Sequence, residues 1–324
     1  MTTSKNRNDM IIYEKRLFSD LHSFMEQTRS WNLDFRQLDR GSFKGMLVQY
    51  GVNNAQIGIG SFNRKFDQRG GAPAGLISFA LLGQEGAPII WRGVEIDHNT
   101  VMVYRPGDEI DCSSEPGFHV ITHSIAEQSF LKHCHNLGFQ DLGKIIYHKR
   151  IFPISFQKRQ KLLETIAQTN SIAAKCRDES EKEMIKGMLE LKIPHLFLRA
   201  ISESVDVAVK SPITDRSHKA LRVIEQSLKS DSTPPTKVQE LLEATDISER
   251  SLQYLIMWKY GITPTTYLKR VRLNGIRKIL QRATAEKTKV SDIANQSGFW
   301  HMGQFAKDYK QLFGELPSET LRKT

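Results

Sequence analysis

Two short stretches near the C-terminal end carry side chains spaced to read a polymer rather than to break a bond. In "SERSLQYLIMWKYG", Arg250, Gln253 and Tyr254 recur at helical spacing on the side opposite Leu252, Leu255 and Ile256. Arg matches the O6/N7 edge of guanine and Gln the N6/N7 edge of adenine, while a tyrosine ring suits a thymine methyl or a phosphate. In "SGFWHMGQFAKDYKQLFG", Phe305, Tyr309 and Phe313 form a ridge, and Met302, Gly303, Ala306 and Lys307 lie away from it. Lys307 suits a phosphate or guanine, His301 a helix cap or a phosphate, and Met302 either bases or the ring of Phe299. Gly303 lets backbone come close.

The elements that must hold these residues are legible. Val238, Leu241 and Leu242 share one side of a helix, "TDI" makes a turn, and Ser248 is an N-cap with Glu249 at the positive helix end. Gly261 fits the left-handed position that closes the helix. A second unit follows, with Ile293 and Ala294 inward in "SDIANQS", Gly298 at the turn and Gly314 at the close. Between the units, Thr263 and Pro264 start a helix of about 20 residues, roughly 30 Å long. Major grooves on one face of B-DNA recur about every 34 Å. Such a rod could hold two recognition helices over adjacent grooves, with Lys269, Arg270, Arg272, Arg277 and Lys278 free for phosphates or acidic neighbours.

Charge agrees with a polyanionic partner. The net charge is +10, and the segment from Thr214 onward, with 19 Lys and Arg against 12 Asp and Glu, carries +7 of it.

Residues and motifs together bring a resemblance. "RVRLNGIRKIL" followed by "VSDIANQSGFWHMGQFAKDYKQLFGELPSETLR" resembles the C-terminal signature of the AraC/XylS family of bacterial transcription regulators. Ile293-Ala294, Gly298-Phe299, Phe305 with Tyr309, and Gly314 with Pro317 carry the match, which spans about 110 residues. Tyr309 stands where phenylalanine is more usual. Gly303 inside a recognition helix departs from the pattern, as do Ile256 and Met257 in the first unit. The resemblance implies that Arg250, Gln253 and Tyr254 contact DNA from the first unit, and His301, Met302, Gly303 and Lys307 from the second. It also implies activation rather than repression, RNA polymerase as a protein partner, a homodimer, and control by an N-terminal effector-binding or dimerisation domain whose small-molecule effector stays unidentified.

Upstream, residues 30–125 read as β-rich, with seven short runs broken by Gly, Pro, Asn and Asp clusters. From 126 to 210 the periodicity becomes helical, and the helices between about 155 and 210 are the expected dimer contact. "SPITD" reads as a linker. The expected architecture is α+β: a cupin-like sandwich or barrel with a helical dimerisation segment over 1–210, then an all-α domain over 214–324 with two helix-turn-helix units joined by a long helix.

Three cysteines, Cys112, Cys134 and Cys176, show no pairing pattern, which suits a reducing cytoplasm. "MTTSKNRNDMIIYEKR" lacks the apolar centre of a signal peptide, and "GLISFALLG" is too short to span a bilayer. No membrane partner or cofactor is expected. The rival reading is a cupin-like metalloenzyme with a basic appendage, built on His119, His123, His133, Cys134 and His135. Against it, His133 and His135 diverge by about 200° on a helix, so no metal site is assigned. "WRGVEIDHNTVMVYRPGD" reads as a hairpin with a salt bridge, or as an effector-pocket wall through Trp91, Arg92 or Arg105. No GxSxG, P-loop or HExxH occurs, and "GIGSFN" lacks the context of a dinucleotide site, so no enzyme activity is expected.

Overall fold

Alternating apolar residues separated by turn glycines give two antiparallel sheets in the first 153 residues of the computed structural model. It describes residues 12–322 apart from 29–30, 53, 85, 137–138, 206–214, 230–234, 236, 246 and 285–287, and apart from the side chains of 140, 215–218, 254 and 258. The "SPITD" linker therefore lies almost wholly outside the described residues, and the Tyr254 side chain does too.

The strands are β1 (Ile12–Phe18), β2 (Asp34–Gln37), β3 (Gly45–Val52), β4 (Ala55–Phe62), β5 (Phe66–Gly71), β6 (Leu76–Leu82), β7 (Ile89–Trp91), β8 (Val94–Ile96), β9 (Thr100–Tyr104), β10 (Glu109–Ser114), β11 (Phe118–Ala126) and β12 (Ile151–Pro153). One sheet has the order β1-β3-β4-β11-β6-β9-β12, the other β2-β5-β10-β7-β8. Helix α1 (Leu21–Gln27) closes one end, with Asp20 capping it through the Ser23 amide at 2.8 Å.

Between the sheets lies an aromatic core, in which Phe35, Phe62 and Phe66 meet edge to face at 5.0–5.9 Å. The outer face of the larger sheet packs on α2 (Glu127–Asn136), α3 (Gln140–Ile145), α4 (Phe156–Ala173), α5 (Glu179–Gly187) and α6 (Ile193–Ser202), with a π-helical turn at Met188–Lys192. The sandwich expectation holds. Four strands go beyond it: β1 in a polar N-terminal stretch, β5 and β10 where "DQRGGAPAG" and "RPGDEID" read as turn clusters, and β12 inside the region expected to be helical. β12 forms because Phe152 is buried and its neighbours pair with β9.

The C-terminal part is all helical: α7 (Asp215–Lys229), α8 (Val238–Ala244), α9 (Glu249–Tyr260), α10 (Pro264–Leu280), α11 (Val290–Gln296), α12 (Met302–Phe313) and α13 (Pro317–Arg322). Start and stop signals act as read. Ser248 accepts from the Ser251 amide, and Thr263 from that of Thr266, ahead of Pro264. Gly261 and Gly314 end their helices at φ of 64° and 80°, and Gly298 turns at 78°. The connecting rod is 17 residues, about 25 Å, slightly shorter than expected. It runs through the middle, one stretch packing with α8 and α9 and the other with α11–α13.

Candidate DNA-recognition surface and its tether

Helix α9 divides its residues by face. Leu252, Leu255 and Ile256 are buried, while Arg250 and Gln253 are exposed. On α12, Phe305, Tyr309, Leu312 and Phe313 are buried, leaving Gly303, Gln304 and Lys307 in water, with His301 exposed at the N-cap. His301 makes no side-chain cap hydrogen bond. Met302 is half-buried against the Phe305 cluster, so packing takes much of its surface. A Cβ at Gly303 would meet no atom within 4 Å, so nothing inside the chain demands glycine there.

The basic residues of α10 behave differently from one another. Lys269 pairs with Asp308 of α12 at 3.2 Å, and Arg277 with Glu315 at 3.1 Å. Lys278 pairs with Asp34 of the sandwich. Arg272 lies 4.8 Å above the Phe299 ring, and burial lowers its pKa from the usual arginine value. Of the two expected roles, these side chains mostly take acidic neighbours.

A second group escaped sequence reading: the residues that tether the helices to the sandwich. Lys259 Nζ, fully buried, donates to Asp111 at 2.7 and 2.8 Å and to Glu225 at 3.0 Å. Arg69 reaches Asp67 at 3.0 Å, Asp111 at 3.2 Å and the Tyr260 hydroxyl at 2.8 Å. Arg36 lies 3.7 Å from Asp67, and the Tyr267 hydroxyl donates to Asp67 at 3.3 Å. Three cations therefore face three carboxylates, and the Tyr260 and Tyr267 rings stack at 4.4 Å beside them. Burial works against the Lys259 ammonium, yet Asp111 and then Glu225 hold its pKa above the ordinary lysine value. Burial likewise opposes the Asp111 carboxylate, and Lys259 followed by Arg69 draws its pKa below the usual range.

A second tether is purely hydrogen bonded. The Asn274 amide accepts from the Gln37 N–H at 2.9 Å and donates to the Gln37 carbonyl at 3.1 Å, as a neighbouring strand would. The Gln37 side chain donates to the Leu312 carbonyl, and the Gly41 amide to those of Gln311 and Leu312 at 3.2 Å. One sequence signal was present: Lys259 and Asn274 each stand one turn along an apolar stripe, after Leu252–Ile256 and Tyr267–Val271.

Behind β5 and β10, between the sheets, lies a cavity of about 100 Å³. Cross-strand register places Gln49, Gly58, Thr122, Ala80 and Met102 in one row across its floor, and Leu47, Gly60 and Val120 in the next. Two glycines in β4 leave the space that side chains would fill. Phe35, Trp31 and Tyr104 wall it, and Gln68 and Cys112 face it as a cross-strand pair. Adjacent residues on the same strands, Asp67, Arg69 and Asp111, face the helices instead. Trp91 and Tyr104 are buried, and Arg105 bonds Asp108 at 2.9 Å, but this salt bridge lies in the crossover from β9 to β10, strands of different sheets, and the expected hairpin is confined to β7 and β8.

The two histidines of β11 stay apart, and the His133 ring meets only that of His195, at 6.4 Å, among the described ring contacts. His119 and His123 lie four residues apart on β11, about 13 Å along a strand, and His123 bonds the Leu189 carbonyl at 2.8 Å. Among the described residues, no group of three or more His, Cys, Asp or Glu could hold a metal ion. No helix there is long and apolar enough to cross a membrane.

Residues 241–323 match the family described as Helix-turn-helix domain. The XylDLEGF operon transcriptional activator of Pseudomonas putida is 30% identical over 246 residues, covering 72% of this chain and 71% of that protein. The chain belongs to the AraC/XylS family of transcription regulators. Its N-terminal part is thus the regulatory domain of an AraC-family protein, its C-terminal helices the DNA-binding domain, and the family is one of regulators rather than enzymes. The probable thc operon regulatory protein of Rhodococcus erythropolis is 38% identical over 102 residues, covering 32% of this chain and 31% of its own. Among solved structures, the AraC-like transcriptional activator CuxR matches over 87% of this chain and all of its own, at 15% identity and a TM-score of 0.41.

Proposed function

We propose that the chain is a cytoplasmic activator that lays α9 and α12 in successive major grooves of double-stranded DNA, with RNA polymerase as the partner through which it acts. The observation that carries this reading is a division of faces. The exposed sides of α9 and α12 present Arg250, Gln253 and Lys307, while the sandwich grips Lys259, Asn274 and Lys278 elsewhere on the same bundle. Arg250 and Gln253 read bases, and Tyr254 joins them from the same helix. Lys307 and His301 hold phosphates beside Gly303, and Met302 contributes from a half-buried position. The name of the Pseudomonas relative supports activation.

The regulatory unit spans 1–210 and the DNA-binding unit 214–324. Homodimerisation runs through the helices from 155 to 210, where Phe156 and Leu191 are each 58% exposed. The cavity is the effector site. Its described lining includes no charged side chain, and its size is of the order that admits a single aromatic ring. Small, uncharged, mainly apolar molecules fit it.

In vitro selection of random duplexes by the full-length protein at about 150 mM salt tests the reading. Recovery of two sequence blocks about ten base pairs apart is the expected result. Binding without enrichment would refute base reading and leave a non-specific binder whose affinity tracks salt alone.

A further inference from the structure

We propose that Trp300 is a specificity-determining residue of the second unit, its indole packing on the C5-methyl group of one thymine in the major groove. This rests on reading α12 as a groove-inserted recognition helix.

The turn before α12 sends two neighbouring aromatics in opposite directions. After Gly298, Phe299 turns inward, its ring 5.3 Å from Phe305 and beneath the Arg272 guanidinium. Trp300 follows and is 73% exposed. Among the described residues of the helical domain, the other exposed large apolar side chains are Met257 at 43% and Ile279 at 49%. An indole in water forfeits the burial that Phe299 obtains one residue earlier, so nothing in the fold accounts for its type. The position has a direction. Trp300 stands two residues ahead of the first residue of α12, and the N-terminal residues of a recognition helix are those that meet base edges.

Chemistry then narrows what the indole meets. Tryptophan offers a broad apolar face and a single N–H donor. The one apolar group that a base pair displays in the major groove is the thymine methyl. Gly303, one turn along the exposed side, adds no side chain between helix and groove, and a Cβ there would touch nothing in the protein. The helix end can therefore come close enough for the ring to reach the methyl while Lys307 stays beside the backbone.

The test uses the full-length protein and a duplex recovered by its own selection, with each thymine replaced in turn by deoxyuridine. Wild type should lose affinity roughly fourfold at one position, the amount one buried methyl group contributes. Trp300→Ala should bind the parent duplex more weakly by at least that factor and ignore the methyl at that position. Trp300→Phe should keep part of the sensitivity. Both variants should melt with wild type, since the ring is largely exposed. The proposal is overturned if Trp300→Ala retains the same thymine sensitivity, if no single methyl matters to wild type, or if the variant's weaker binding follows a lower melting temperature. A wild-type protein that enriches no sequence would instead refute the groove-inserted reading beneath it.

Discussion

The ammonium of Lys259, on α9, lies 2.7 Å from the carboxylate of Asp111, on the five-stranded sheet of the regulatory domain. A charge in the DNA-binding domain is thus neutralised by the regulatory domain. Removing one partner leaves the other buried without compensation. Lys259→Met should cost about 3–5 kcal/mol in urea denaturation. Adding Asp111→Asn should recover part of that loss; strict additivity of the two would mean the pair does not couple the domains.

His123 gives a pH dependence. Burial pulls its pKa down to about 4, against an opposing hydrogen bond to Leu189. The folded value lies below the unfolded one, so the unfolded chain binds the extra proton first. Stability should be full above pH 6.5 and decline as pH falls towards 4, by roughly 3 kcal/mol from this residue. His123→Gln, which can still donate to the Leu189 carbonyl, should flatten that slope in urea midpoints measured across the window.

The two cavity glycines should respond oppositely. At Gly60 an added Cβ would sit 3.8 Å from Val120 and 3.9 Å from Leu47, ordinary contact. At Gly58 it would press to 2.8 Å from the Thr122 hydroxyl. Gly60→Ala should melt with wild type, whereas Gly58→Ala should lose about 1–3 kcal/mol. Gly60→Leu should also abolish the rise in melting temperature that a neutral single-ring probe such as anisole gives wild type. A rise that persists would remove the effector from this cavity.

Binding to the selected duplex should separate the two recognition roles. Gln253→Ala should relax preference at one base pair by about 1–3 kcal/mol, and Lys307→Ala should weaken all sequences alike and lower the salt slope by about one. Equal, sequence-independent losses for both would end the assignment of Gln253 to a base.

The helical domain was legible because its signals are local. Ser248, Thr263, Pro264, Gly261 and Gly314 each act within one turn of the chain, and each takes the expected place. The sandwich was legible as a class but not strand by strand. β1 is largely exposed and carries three consecutive charges, Glu14, Lys15 and Arg16, so its pairing with β3 leaves little trace in its own residues. The tether was illegible for another reason. Asp111 and Lys259 are 148 positions apart, and each in isolation reads as a solvated charge. The cavity likewise depends on Gly58 and Gly60 meeting Thr122 and Val120 from a distant strand.

The reciprocal bond between Gln37 and Asn274 fixes more than a contact. Asn274 belongs to α10, and α10 is the common core of both helix-turn-helix units. Gln37 therefore holds both helix-turn-helix units through one element, as a shaft carries two gears mounted on it. The length of α10 sets the separation of α9 from α12, and its bonds to Gln37 set the angle at which the pair sits on the sandwich.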